Sequence, residues 1–336
     1  MSPPLSSQTY TFDPRPHHPL ISTAKRYWKP SSSDGGLTLV FTHAAGFHKE
    51  IWEAVMDDLL ELINQFEAKL KIREIWSIDA PNCGDAASLN EEALQHGYDI
   101  FSFHEYARSV HAFLTGRGQT YKGINLESLS VIPNVDFSSH KIVGIGHSMG
   151  ANSLLLSAWA INQEAAILIS RTFSENAKSR KDVWTSREDA YNMFKSSARL
   201  GKYWDEIESL EDICGLRSLP TLEYPNVKDG VTLKCARKQE TAIYKALIAD
   251  CNIIYQGFPS YASRVRIHLV YGTVGDILLT EVKIEIARKE QSKLGSCGFI
   301  EGAGHYAPHS HPRKLAENIL QTLNSDVESG KRDIKL

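Results

Sequence analysis

The chain has no apolar run near the roughly 20 residues a transmembrane helix needs, which predicts a protein without a membrane span. The start, Met1-Ser2-Pro3-Pro4-Leu5-Ser6-Ser7, lacks a basic region and an apolar core, so no secretory leader is expected. An intracellular place, cytoplasm or peroxisome, is the expectation. Neither sign of charge is in excess: 37 Lys and Arg stand against 40 Asp and Glu, a formal charge of -3. That balance gives no reason to expect nucleic acid or an anionic membrane as a partner. Cysteine is sparse and scattered. Cys83, Cys214, Cys235, Cys251 and Cys297 are odd in number and show no C-x-x-C spacing, so reduced thiols are expected rather than a zinc site or redox pair. Repeats and low-complexity segments are also missing. What remains is an ordinary globular composition, 42% hydrophobic and 23% charged over 336 residues, enough to bury one large core with an insertion or two domains.

Short β-branched runs alternate with helical periodicity along most of the chain, the pattern of βαβ units and a parallel sheet. Gln8–Phe12 and Ser22–Trp28 read as short strands at a sheet edge. His17-His18 between them reads as solvated loop, since no carboxylate or cysteine stands nearby in sequence. Leu37–Thr42, Ile72–Ile78, Lys141–Gly146, Ala165–Ser170, Arg266–Gly272 and Gly298–Glu301 read as core strands. Helices are expected over Ile51–Lys71, Phe101–Leu114, Glu281–Leu294 and Arg313–Leu323. The first carries an apolar stripe of Trp52, Val55, Met56, Leu59, Leu60, Ile63 and Phe66, predicted to pack into the core. Tyr121–Ser139 reads as an irregular connection. Residues 171–265 break the rhythm: they are helix-rich and aromatic, with weak strand signals. They are expected to form a helical cap inserted over the carboxyl edge of a core made of residues 1–170 and 266–326, followed by a tail at 327–336.

The organising stretch is Lys141-Ile142-Val143-Gly144-Ile145-Gly146-His147-Ser148-Met149-Gly150, continuing as Ala151-Asn152-Ser153-Leu154-Leu155-Leu156. A β-branched run, then Gly-His-Ser-Met-Gly, then helix formers is the setting of a nucleophile elbow, G-x-S-x-G. The sharp turn strains the serine backbone, and Gly146 and Gly150 supply the missing Cβ atoms on either side. Ser148 is therefore the predicted nucleophile, at a helix N-terminus that favours negative charge.

A serine hydroxyl needs a base, and the base needs an acid to hold its tautomer. In a chain of this order the acid precedes the histidine. His305, closing Phe299-Ile300-Glu301-Gly302-Ala303-Gly304-His305, is the candidate base. His309 and His311 are rivals read as surface residues, and a zinc cluster of the three is the less economical reading. Asp276, closing Val270-Tyr271-Gly272-Thr273-Val274-Gly275-Asp276, is the candidate acid, with Glu175 as runner-up. An oxyanion hole needs two backbone N–H donors. Met149 should give one, and Ala45 (or Ala44) in His43-Ala44-Ala45-Gly46-Phe47 the other, with His43 bracing that loop rather than acting as a second base. No cofactor and no metal is expected.

In these stretches the chain resembles the α/β-hydrolase superfamily: residues 40–47, 79–85, 146–151, 271–276 and 302–305, in that order, carry the likeness. It departs in having His-Ala-Ala where many members have His-Gly-x, and in Asp276 standing one residue further from Gly272 than usual. The phrases Gly230-Val231-Thr232-Leu233-Lys234-Cys235-Ala236 and Glu240–Tyr244 are similar to a fungal subgroup of peroxisomal lipases and toxin-pathway hydrolases. Lys335-Leu336 matches part of the peroxisomal Ser-Lys-Leu address, with Ile334 in place of the small residue. The resemblance implies an α/β fold with a mostly parallel sheet flanked by helices and a helical cap. It implies a serine hydrolase of an ester, lactone or thioester of a hydrophobic small molecule. An acyltransferase using the same triad is the alternative, and a non-catalytic binding protein is a third reading.

Overall fold

Runs of β-branched and aromatic residues form the strands. β1 (Ser6–Asp13) and β2 (Ser22–Trp28) interleave polar residues with Tyr10, Phe12, Tyr27 and Trp28, β3 (Leu37–Thr42) is an apolar run broken only by threonine, and β4 (Ile72–Ile78) sets Ile72, Ile75, Trp76 and Ile78 among Arg73, Glu74 and Ser77. Leu39, Val40 and Phe41 have no exposed surface, as expected of a strand covered on both faces. The structure, a computed structural model, describes residues 5–29, 35–66, 70–124, 131–156, 174–196 and 215–328. Among them β5 (Gln119–Lys122), β6 (Val131–Ile132) and β7 (Lys141–Gly146) complete a seven-stranded sheet in the order β6-β5-β1-β2-β4-β3-β7. β3 pairs parallel with β4 and with β7, and the outer strands pair antiparallel. Parallel neighbours need a crossover. α1 (Glu53–Gln65) supplies it between β3 and β4, while α2 (Gly84–Leu89), α3 (Glu91–His96) and α4 (Phe103–Leu114) lie between β4 and β5. α5 (Met149–Leu156) follows β7 directly.

β11 (His268–Gly272) and β12 (Ser296–Ile300) form a second parallel pair, with the helix Thr280–Glu290 between them. The helix Pro312–Glu328 buries Leu315, Ala316, Ile319, Leu320 and Leu323 against Val55, Met56 and Leu59 of α1. The expected strand Ala165–Ser170 and the tail Ile334–Leu336 lie outside the described residues. The α/β architecture read from the sequence is the one observed.

Three expectations are corrected. β1 and β2 are interior strands, because Gln119–Lys122 and Val131–Ile132, which overlap the stretch Tyr121–Ser139 read as irregular, form β5 and β6 outside them. Phe66 is 70% exposed: α1 ends at Gln65, so the ring falls past the last turn and off the buried stripe. His18 is buried, not solvated, with Nε2 at 2.9 Å from Glu105 Oε2, while His17 is exposed. The carboxylate that sequence proximity could not supply comes from α4.

Residues 174–179 are helical and lead into β8 (Val183–Trp184), the helix Arg187–Ser196, β9 (Leu216–Ser218) and β10 (Val231–Leu233). The three strands form a small antiparallel sheet, β8-β10-β9, over a cluster of Trp184, Ala190, Phe194, Leu216, Val231 and Leu233. Two- and three-residue strands are too short to register as a period, which is why the strand signals in this stretch are weak. The helix Arg237–Ala262 belongs with the main core, burying Ala242, Ile243, Cys251, Ile254 and Phe258 there. Its Asp250 also caps α4, accepting from Ser102 Oγ (2.8 Å) and Phe103 N (2.7 Å).

Candidate active site

The elbow forms because two glycines allow a turn that no other residue would. Ser148 has φ +53°, a left-handed backbone that costs an ordinary residue about 1 kcal/mol or more. A Cβ at Gly150 would lie 2.4 Å from Thr42 O and 2.6 Å from His43 O, and one at Gly146 2.5 Å from Ala151 N. The turn therefore docks tightly on the end of β3, and the His147 N–H donates to Thr42 O at 3.1 Å. Gly150 N donates back to His147 O (2.9 Å) and Asn152 N to Ser148 O (2.9 Å), which starts α5. Met149, buried behind Ser148, stands at the first position of α5, where the helix provides its N–H no acceptor one turn back.

The loops that carry Asp276 and His305 follow β11 and β12 and are laced together. Thr273 N donates to Ile300 O (3.1 Å), Val274 N to Ala303 O (2.9 Å) and Gly302 N to Thr273 Oγ1 (3.0 Å). The lacing ends with Asp276 Oδ2 accepting from His305 N at 2.8 Å, while Oδ1 accepts from Ile277 N at 2.8 Å. The structure thus brings Asp276 to the loop that carries His305. Glu175 sits exposed on the 174–179 helical stretch. Burial lowers the His305 pKa to about 4; Asp276 opposes the shift and the Lys283 ammonium adds to it. His305 is consequently neutral at pH 7, the form a general base requires.

His147 joins the two halves. Its Nε2–H donates to His305 O at 2.7 Å, and its ring lies 5.0 Å from the His305 ring and edge-on to Trp52 at 6.5 Å. Burial, reinforced by His305 and His309, holds its pKa well below the usual histidine value, so the neutral ring keeps that donor. No sequence motif assigns His147 a role. Its only signal was its place beside the serine.

His43 is a brace, as expected. It has no exposed surface; Nδ1–H donates to Ala44 O (2.8 Å) and bare Nε2 accepts from Ala80 N (3.0 Å). Burial takes its pKa to about 4, so this tautomer persists at neutral pH. The loop it holds turns at Gly46 (φ +80°), with Phe47 N donating to Ala44 O at 3.2 Å and Ala45 partly exposed beside the buried Ala44. Beneath lies a polar cluster around Lys49, whose Nζ meets Asp79 Oδ2 (2.9 Å), Asp85 Oδ2 (2.6 Å) and Glu50 Oε1 (3.0 Å). Burial opposes the charge on Lys49, but those three carboxylates outweigh it and raise its pKa. Lys234, one residue past β10, pins Asp85 from the other side at 2.5 Å.

Two rivals of His305 also change status. His309 is not a surface residue: its ring packs on Phe47 at 4.6 Å, and burial, with His48 nearby, lowers its pKa to about 3. His311 hydrogen-bonds Ser310 Oγ at 2.9 Å and is partly buried. Above the loop, the helix Arg237–Ala262 presents Glu240, paired with Arg180, so that a Cβ on Gly46 would stand 3.2 Å from its carboxyl carbon.

Residues 39–318 match the model of the alpha/beta hydrolase family, well over half of the chain. A type I acyl-CoA thioesterase, mpaH, of Penicillium brevicompactum is 25% identical over 220 residues, 58% of this chain and 43% of that protein's length. Among solved structures, the peroxisomal alpha-beta-hydrolase Lpx1 of Saccharomyces cerevisiae superposes with a TM-score of 0.67 at 18% identity, covering 97% of this chain and 90% of that one. An esterase of Mycobacterium tuberculosis gives 0.59 at 13% identity over 96% and 93%. These structural likenesses speak to the fold. With the match over residues 39–318 they make the chain a member of the alpha/beta hydrolase family.

Proposed function

We propose that this protein is a serine hydrolase that cleaves a carboxylic ester, lactone or thioester of a hydrophobic small molecule through an acyl-enzyme on Ser148. The observation that carries the reading is Ser148 at φ +53° on an elbow hydrogen-bonded through His147 to the His305 loop, which Asp276 holds in turn. In this reading neutral His305 takes the Ser148 proton as the hydroxyl attacks the carbonyl, and Asp276 stabilises the imidazolium that forms. The Met149 and Ala45 N–H groups receive the developing oxyanion. His305 then protonates the leaving alcohol or thiol, and a water molecule activated by the same base releases the acid. Phe47 and Tyr306, with ring centroids 6.0 Å apart, give the centre an apolar border suited to a hydrophobic acyl group. The likeness to an acyl-CoA thioesterase favours including thioesters among the substrates. Likeness to a peroxisomal hydrolase, with Lys335-Leu336 in the sequence, supports the peroxisome as the place of action.

The test is direct. Purified protein should hydrolyse short p-nitrophenyl esters or acyl thioesters and be labelled once by a fluorophosphonate, and Ser148→Ala should abolish both. Labelling that persists in Ser148→Ala would refute the nucleophile. Imaging a fluorescent fusion with and without Ile334–Leu336 checks the compartment.

A further inference from the structure

Lys283 is a lysine in an expensive place. It lies in the first turn and a half of the helix Thr280–Glu290, where the macrodipole disfavours a cation, and only 3% of it is exposed. Among the described residues it has no carboxylate at ion-pair distance. Its Nζ instead donates to two backbone carbonyls, Gly272 O at 2.8 Å and Val274 O at 2.7 Å. A desolvated ammonium is costly unless its hydrogen bonds are made, so the loop carbonyls and the lysine hold each other.

Those carbonyls bracket the turn from β11 to Asp276. On one side the turn is laced to the base loop through Thr273 and Val274. On the other, Thr280 Oγ1 donates to Thr273 O at 2.8 Å and Lys283 closes on the carbonyls either side of it. Asp276 is two residues beyond the second carbonyl. We infer that Lys283 is a positioning residue of the active centre: its ammonium clamps Gly272 O and Val274 O, and so fixes where Asp276 stands relative to His305. This rests on the reading of Asp276 as acid and His305 as base. The clamp is also a positive charge beside that pair. The groups facing His305 are Asp276 from the acid loop, Lys283 from the helix, His147 from the elbow and the adjoining Tyr306, its ring edge-on at 5.6 Å. Of these Asp276 favours the imidazolium and Lys283 disfavours it. Neutralising Lys283 therefore makes the imidazolium easier to form.

The experiment compares full-length wild type with Lys283→Met, Lys283→Gln, Asp276→Asn and the Lys283→Met/Asp276→Asn double variant, following kcat and KM for a p-nitrophenyl ester from pH 4 to 9. Lys283→Met should lower kcat about tenfold, leave KM within about twofold, and move the acid limb of kcat/KM up by about half a pH unit. In the Asp276→Asn background the same change should cost less than about twofold, because the loop no longer carries an acid to place. Lys283→Gln keeps one donor to the loop; it should show the same upward limb and serves if the Met variant does not fold. A folded Lys283→Met or Lys283→Gln with wild-type kcat and an unmoved limb overturns the inference, as does an equal loss in both backgrounds. Full turnover in Asp276→Asn would instead refute the acid assignment, a separate failure from that of Lys283.

Discussion

Acid should unfold this protein partly through one histidine beneath the loop after β3. His43 has no exposed surface, and burial lowers its pKa from 6.5 to about 4. Between those values the unfolded chain binds a proton that the native protein refuses. Stability is therefore intact above pH 6.5, declines as pH falls through the window, and stops declining below about 4. At about 1.4 kcal/mol per pH unit, His43 alone should cost roughly 2 kcal/mol by pH 5 and ~3 kcal/mol by pH 4. Structurally, the proton would occupy the Nε2 that accepts from Ala80 N. His147, His305 and His309 are lowered by burial as well and add to the total in the same direction. The informative quantity is thus a difference. Urea unfolding followed by tryptophan fluorescence, at fixed ionic strength and at pH 7.5 and 5, should give a loss smaller by about 2 kcal/mol in His43→Asn than in wild type. Equal pH dependence in the two proteins would refute the reasoning, since it would mean His43 titrates alike in both states.

Gly150→Ala would force a methyl group to within 2.4 Å of Thr42 O; chemical denaturation should show a loss of about 1–3 kcal/mol or more, and fluorophosphonate labelling should fall with it. Because Ser148 sits at φ +53°, Ser148→Gly should be about 1 kcal/mol more stable than Ser148→Ala while both are inactive, and equal stabilities would count against a strained elbow. Native protein should alkylate slowly at Cys83, Cys235 and Cys251: all three are buried, the Cys235 pKa is raised well above its ordinary value and that of Cys251 is pushed up to about 12. Site-resolved mass spectrometry after iodoacetamide treatment should find the partly exposed Cys297 modified ahead of them.

The features legible in the sequence are those with a local cause. Leu37–Thr42 and Ile72–Ile78 appear as strands with the expected bounds because each concentrates β-branched and large apolar residues in a short segment. The Gly-His-Ser-Met-Gly turn was legible because its strain demands glycine at two fixed offsets. The cases missed involve partners distant in the chain. Gln119–Lys122 has no pattern of its own and is a strand because Asp13, Phe12, Thr11 and Tyr10 offer it an edge. Phe66 looked like one more stripe residue, yet the helix stops one residue before it.

By itself, then, the sequence determines the alternation of strands and helices, the elbow at Ser148 and the order in which an acid and a base should follow it, because each is written in neighbouring residues. Only the tertiary structure decides that Asp276 reaches the His305 loop, that His147 ties the Ser148 turn to that loop, that His18 finds Glu105, and that Lys283 grips the turn before Asp276. Those pairings span from nine to more than a hundred and fifty residues. They depend on which carbonyls and carboxylates end up facing a buried donor, and no local pattern records that.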